Sequence, residues 1–404
     1  MPFISKQRLY NIHLPSGPQY KADVALLLMA IRLITLFPPE NPKVGLYPLA
    51  KYHYFRIEGS TAASIPILQA NILIALYKLG HGIYPAAYLT IGSCARYMGA
   101  LGINRPAPRR ASMGMPRAMS LIEVEERKRV WWAIVILDRF VSVASPSRPF
   151  ATPDPGLDDA LPSDDEDWDN GFIHTISSRT PRHTCRFRRL CQAARVLGEV
   201  ISLPNRSGST SGPMNENDKM TPQLENLERM RLDSILQSML DNAIDLEDPD
   251  LDTMTFIFST MIGLYTPHLS AAFSTLRSTR PPTYEDPPTR ASEIVNQITE
   301  AILSALLDQP YFTRCNPRAM SPWRAYFMYH ALSVQMATLR DIGPQGDDEV
   351  LIYMPGMYGE RQEVDLEKVI LAIRQAFTVI GARWSIGNVY LRLLEAQEAL
   401  DATV

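Results

Sequence analysis

The sequence predicts an all-α fold built of many helices joined by Pro-rich loops, with no sheet. Three observations carry this. Apolar residues recur at helical spacing in one segment after another, and no alternating apolar–polar run is long enough for a strand. Gly and Pro mark the ends of those segments, and the 32 prolines make up about 8% of the chain against a usual ~5%. One segment, Val130 to Val143, is apolar at almost every position except Asp138, Arg139 and Ser142, the pattern of a helix enclosed on all sides.

Taken in order, residues 1–20 are polar and Pro-containing and read as a loosely fixed lead-in. Lys21 to Phe37 reads as a helix halted by Pro38-Pro39. Tyr47 to Gly59 reads as another, with Tyr47, Tyr52, Tyr54 and Phe55 in the core. Ser64 to Leu79 has a capping Ser64, Pro66 near its start and Gly80 at its end. Ala86 to Leu101 follows, ended by Gly102; the mid-helix Gly92 costs about 1 kcal/mol relative to Ala and suggests a close helix contact. Two such helices with a short loop pack antiparallel.

Residues 105–117 form a Pro- and Arg-rich loop. The next helix opens with Ser120 and Glu123 in the S-x-x-E form of a capping box. Glu125 and Glu126 stand three or four residues before Lys128 and Arg129, within pairing reach on a helix. Asp138 and Arg139 interrupt its apolar half and need partners, because a lone buried charge is costly. An acidic loop, Pro149 to Gly171, comes next. Helices are then expected at 187–203, 222–244, 253–276, 289–307, 322–340 and 365–400, the last bending at Gly381 and Gly387. A polar linker is expected at about 205–221.

Composition narrows the function classes. A net charge of −3 gives no overall pull toward nucleic acid or an anionic membrane. Four cysteines in so long a chain make no disulfide framework, which fits a reducing compartment. The longest apolar stretch, Val24 to Phe37, is too short to span a bilayer, and the N-terminus lacks a signal-peptide layout. A soluble intracellular protein is expected.

The block from Glu125 to Trp132, the Leu137–Ser142 run with its Asp138-Arg139 pair, and the Arg148-Pro149 turn resemble the signature of the fungal-specific transcription factor domain. This is the regulatory middle homology region of zinc binuclear cluster regulators. Gln69, Leu76, Ala87-Tyr88, Gly92, Ala95-Arg96 and Leu101-Gly102 fit that pattern upstream, and Leu161-Pro162 and Asp167-Trp168 fit it downstream. The resemblance implies a regulatory core at 21–175 and a C-terminal helical part of the same region at 176–404. It implies a nuclear regulator of RNA polymerase II-dependent genes, with those of a metabolic cluster as one candidate set. Implied partners are co-regulators or a zinc-cluster regulator, as homo- or heterodimer. DNA would be contacted only indirectly, with a small-molecule effector and no membrane.

Family members read DNA with six N-terminal cysteines holding zinc. This sequence has no such run, so either its gene model is truncated or it acts as a cluster-less member, and no cofactor is expected in this chain. Glu126, Arg127, Arg129, Asp138, Arg139 and Arg148 are expected to form an ion-pair set around the central helix. Trp131 and Trp132 anchor the core, and Pro149 completes the turn. No catalytic, cofactor-binding or metal residue is assigned.

Rival chemistries are weaker. Asp164 to Asp167 resembles the Mg²⁺-binding acidic motif of terpene cyclases but lies in a loop and lacks a second metal motif. Residues 208–212 imitate a G-x-S-x-G elbow with Thr at its centre and no strand before it. His174, His183, Cys185 and Cys191 lack the Cys-x-x-Cys spacing of structural zinc. The basic run Arg179, Arg182, Arg186, Arg188 and Arg189 reads first as an arm of salt bridges to the acidic loop, then as a nuclear-import signal. Arg109-Arg110-Ala111-Ser112 has the form basophilic kinases accept, making Ser112 a candidate phosphosite. A scaffold that dampens a full-length zinc-cluster regulator is the remaining alternative.

Overall fold

A computed structural model describes residues 1–16, 21–37, 45–59, 62–103, 119–143, 145, 148–171, 185–206, 221–244, 250–276, 320–342, 351–355 and 361–401. The chain divides into two compact units, 1–199 and 200–404.

The first unit begins with α1 (Lys6–Arg8), which runs on as a π turn through His13. It continues with α2 (Ala22–Thr35), α3 (Leu46–Glu58), α4 (Ile65–Gly80), α5 (Ala86–Ala100), α6 (Leu121–Val143), the single turn α7 (Asp165–Asp169) and most of α8 (Arg186–Arg206). α4 packs on α2, α3, α5 and α6, and all of its residues but Leu76 are buried. The unit therefore has two enclosed helices, α4 and the apolar half of α6. α4 is as apolar all round as Val130 to Val143 and meets the same criterion for an enclosed helix.

The glycines after α4 and α5 act as stops, through a left-handed backbone at Gly82 (φ 64°) and Gly102 (φ 63°). At each, the next N–H reaches back to the helix: Ile83 to the Lys78 carbonyl at 2.9 Å and Ile103 to that of Met98 at 3.1 Å. These are Schellman endings, which satisfy carbonyls left free by the last turn. Other local expectations differ from the structure. The Ser64 hydroxyl caps nothing; its backbone N–H donates to the Tyr97 hydroxyl at 3.1 Å. A Cβ on Gly92 would meet open space, so no close helix contact explains that glycine. Tyr52 and Phe55 are exposed rather than in the core. The first residues are not loose: Phe3 is only 2% exposed and Ser5 is buried.

The second unit holds α9 (Pro222–Ile244), α10 (Leu251–Leu276), α11 (Trp323–Ile342), α12 (Leu366–Gly381) and α13 (Ile386–Asp401). α10 packs on α9 and α11, and α11 on α12 and α13. Asp250 caps α10 through Thr253, and the Trp384 indole donates to the Met320 carbonyl at 2.7 Å. The expected helix over 365–400 is broken rather than bent. A Cβ on Gly387 would lie 2.7 Å from the Phe377 carbonyl oxygen, so the chain turns there with backbone against backbone.

The all-α expectation holds for the described residues, with one correction. An antiparallel ribbon pairs β1 (Leu351–Pro355) with β2 (Arg361–Asp365), where β-branched and aromatic residues (Ile352, Tyr353, Val364) favour extended backbone. The 289–307 helix and residues 207–220 of the expected linker lie outside the described residues; Asn205 and Arg206 close α8.

Candidate functional site

α6 carries two buried charge clusters about three turns apart, one at its head and one at its tail. Between them, Trp131 and Trp132 are each 1% exposed and meet edge to face at 4.9 Å; the Trp132 indole N–H donates to the Ala160 carbonyl at 3.1 Å.

The start of α6 explains the geometry of its head. The Ser120 hydroxyl accepts from the Glu123 N–H at 3.2 Å, which fixes the first turn. Glu123 does not complete the box; its carboxylate faces Arg127 and Arg8 at 3.5 and 3.4 Å. One turn on, Arg129 is fully enclosed. Its Nε donates to Glu125 at 3.0 Å. One terminal nitrogen donates to Asp165 at 2.6 Å and the Pro2 carbonyl at 3.0 Å, the other to the Ser163 carbonyl at 2.7 Å. The guanidinium plane stacks 4.1 Å from the Trp168 ring, with Phe187 of α8 beyond at 5.6 Å. Arg129 thus holds the N-terminus, the 163–165 loop and α7 to one helix, and the fork of donors that only Arg has is what permits it.

The neighbouring glutamates behave oppositely. Burial disfavours ionised Glu125, yet Lys128, Arg129 and the Ser163 N–H (2.7 Å) together hold its carboxyl below the usual range. Burial also acts on Glu126, and there it wins. The Ser5 N–H (2.9 Å), Arg8 and the Gln69 amide (3.0 Å) do not offset it, so this carboxyl is pushed up.

At the tail, Asp138 and Arg139 pair at 2.8 Å. Asp138 also accepts from the Thr152 N–H (2.9 Å), the Thr152 hydroxyl (2.7 Å) and the Ala151 N–H (3.2 Å). Arg139 donates to the Thr152 hydroxyl, the Pro153 carbonyl and Asp154, and stacks 3.7 Å from Phe150. Its Nε has no hydrogen-bond partner, because α8 comes against it at Gly198.

Of the expected set, Asp138 and Arg139 pair with each other at the tail, while at the head Arg129 pairs with Glu125 and Asp165 and Glu126 with Arg8. Arg127 stands beside the head, pairing with Glu123 at 3.5 Å and donating to the Leu101 carbonyl just past α5 at 3.2 Å. Arg148 lies away from both clusters, exposed over the Tyr88 ring at 5.1 Å, and Pro149 beside it is exposed too. Arg8, Thr152, Asp154 and Asp165 also belong to the clusters and were not anticipated from the sequence; Glu125 was, from its spacing before Lys128 and Arg129, whereas Gln69 entered only as fitting a family pattern.

The acidic loop is largely committed to structure. Asp164 caps α7, Asp165 pairs with Arg129, Asp169 with Lys6, and Asp159 accepts from the Gly156 N–H at 2.7 Å. Among the described residues no group of three His, Cys, Asp or Glu converges as a metal site. Arg188 donates not to an acid but to the Pro162 carbonyl, at 3.0 and 2.8 Å. Burial raises the thiols of Cys94 to about 12 and Cys185 to about 11, away from reactivity. His174, His183, Arg179, Arg182, Ser112 and Cys315 lie outside the described residues. No described helix is long and apolar enough to cross a membrane.

The architecture is that of a charge-stapled helical core. A model of the fungal specific transcription factor domain matches residues 1–257. The chain is 38% identical over 132 residues to the protein named Transcription factor BOA15 of Botryotinia fuckeliana, covering 32% of this chain and 72% of that protein. It is 26% identical over 183 residues to the Ascochitine biosynthesis cluster transcriptional regulator of Didymella fabae (42% of this chain, 31% of that protein). It is 37% identical over 62 residues to the Arabinolytic transcriptional activator araR of Emericella nidulans (15% and 7%). The chain therefore spans less than a third of the length of the last two. No solved structure matches it. The chain belongs to the fungal specific transcription factor domain family, and with it to the transcription regulators of fungi.

Proposed function

We propose that this chain is the regulatory region of a nuclear regulator of a fungal metabolic gene cluster. It holds partners or an effector on a helical core, and DNA is read by a zinc cluster supplied outside this sequence. The family match over residues 1–257 carries the reading. Support for the gene-cluster role comes from the similarity to a protein named as a biosynthesis cluster regulator. The two clusters on α6 serve as supports of that core. With most of the 164–169 carboxylates engaged in caps and ion pairs, the terpene-cyclase alternative has no structural support. Deleting the gene and profiling transcripts tests the proposal. Coordinated loss or gain of one contiguous set of biosynthetic transcripts is expected, and an unchanged transcriptome refutes it. Affinity capture from nuclei is expected to recover a protein with a six-cysteine zinc cluster.

A further inference from the structure

We infer that the cleft between α4, α6 and α7 is a peptide-binding site that this chain fills with its own residues 2–8. Three properties support this. The segment is held as a bound peptide is held, by backbone recognition at residues 2, 3 and 5 and a few anchors. The Phe3 carbonyl accepts from the Gln69 amide at 3.0 Å, the Ser5 N–H donates to Glu126 at 2.9 Å, and the Pro2 carbonyl accepts from Arg129 at 3.0 Å. Phe3 supplies the single large apolar anchor, enclosed to 2% exposure. Arg8 adds ionic contacts to Glu126 and Glu123 at 3.2 and 3.4 Å, while Lys6 reaches Asp169 and Gln7 lies over Gly171.

Attachment is also concentrated. Between Lys6 and Pro15 no residue is buried, so Phe3, Ser5 and Arg8 with the backbone around them do the holding. Finally, the receiving side is a linked set of polar groups on two long helices, α4 and α6. Gln69 and Glu126 hydrogen-bond each other at 3.0 Å and each offers a further bond to the segment. A recognised ligand would be a short segment with a Phe anchor, an available N–H two residues later and a basic residue three beyond that, on a first helical turn. The N-terminal segment of a second copy has this chemistry. Tethering gives the chain's own segment an effective concentration on the order of millimolar, so the site is closed to weaker peptides until the strap is released.

The test uses the full chain with a protease site inserted after Ser16, and a fluorescent peptide of residues 1–9. After cleavage, the nicked protein is expected to keep its helical circular dichroism and to exchange its strap for the labelled peptide, read by anisotropy with micromolar affinity. The uncleaved chain should bind at least tenfold more weakly, and a Phe3→Asp peptide should lose binding at least tenfold. A nicked protein that stays folded yet takes up no peptide overturns the inference. So does one that unfolds as the strap leaves, since the segment would then be core. Cleaving chains that carry Gln69→Ala gives a second reading: weaker peptide uptake with unchanged helicity is expected, and unchanged uptake counts against the site.

Discussion

The two charge clusters of α6 solve the same problem in different ways. At the tail, most partners of Asp138 and Arg139 come from 13 to 15 residues downstream, in the loop that folds straight back on the helix. At the head, Glu125, Glu126 and Arg129 draw on four separated segments: residues 2–8, Gln69 on α4, the 163–165 loop and Phe187 of α8. A cluster closed by its own loop stabilises one turn of chain. A cluster closed by distant segments decides whether those segments stay together. The tail is thus a staple, and the head is where the order of the whole first unit is set.

The largest expected effect tests the head. Arg129→Ala removes a fully enclosed guanidinium and leaves Glu125 with Lys128 and a single N–H, at a cost of about 3–5 kcal/mol. The same change frees the Pro2 and Ser163 carbonyls, so hydrogen exchange should rise together in residues 1–8 and 161–169. Exchange confined to α6 would show that the head is no more than a local staple.

The tail is probed by packing. A Cβ on Gly198 would lie 2.7 Å from Arg139 Nε and 3.0 Å from its Cδ. Gly198→Ala therefore overpacks a site that cannot yield without breaking the bonds to Asp138 and Asp154, at about 1–3 kcal/mol. Thermal melting should show that loss while exchange in residues 1–8 is unchanged. Asp154, whose side chain is 56% exposed, is the release valve: Asp154→Ala should recover part of the stability by letting Arg139 move outward.

This contrast also marks what was legible in the sequence. The tail could be anticipated, because two adjacent charges inside an apolar run announce that they need partners. The helices themselves were legible through their periodicity, and the Gly102 stop was as well. The head's long-range partners were not. Nothing local distinguishes Phe3 from the apolar residues of any loose terminus, and Gln69 reads as one polar interruption on an enclosed helix. Arg148 and Gly92 misled for a related reason. A motif position records that a residue type recurs in a family pattern, not which side chain it touches here. The break at Gly381–Gly387 was signalled by its two glycines, but whether such a pair bends or severs a helix depends on what backbone crosses there.

The finest prediction separates two adjacent glutamates by the sign of their pH dependence. Glu125 sits below the usual carboxylate pKa because Lys128, Arg129 and the Ser163 N–H outweigh its burial. Its contribution is present above the ordinary value near 4.5 and fades as pH falls through the lowered one. Glu126 sits above that value because burial outweighs Ser5, Arg8 and Gln69. Its favourable form is neutral, and the benefit fades as pH rises through the raised value. Glu125→Gln should therefore cost about 1–3 kcal/mol at pH 7 and progressively less as pH falls to about 4 and below. Glu126→Gln keeps an acceptor for the Ser5 N–H, costs at most about 1 kcal/mol, and gains on the wild type as pH rises from 4 to 7. Urea midpoints at both pH values check the pair. If both variants shift in the same direction with pH, the two carboxylates share one environment, and the head is a single ion cluster rather than an ionised anchor beside a neutral one.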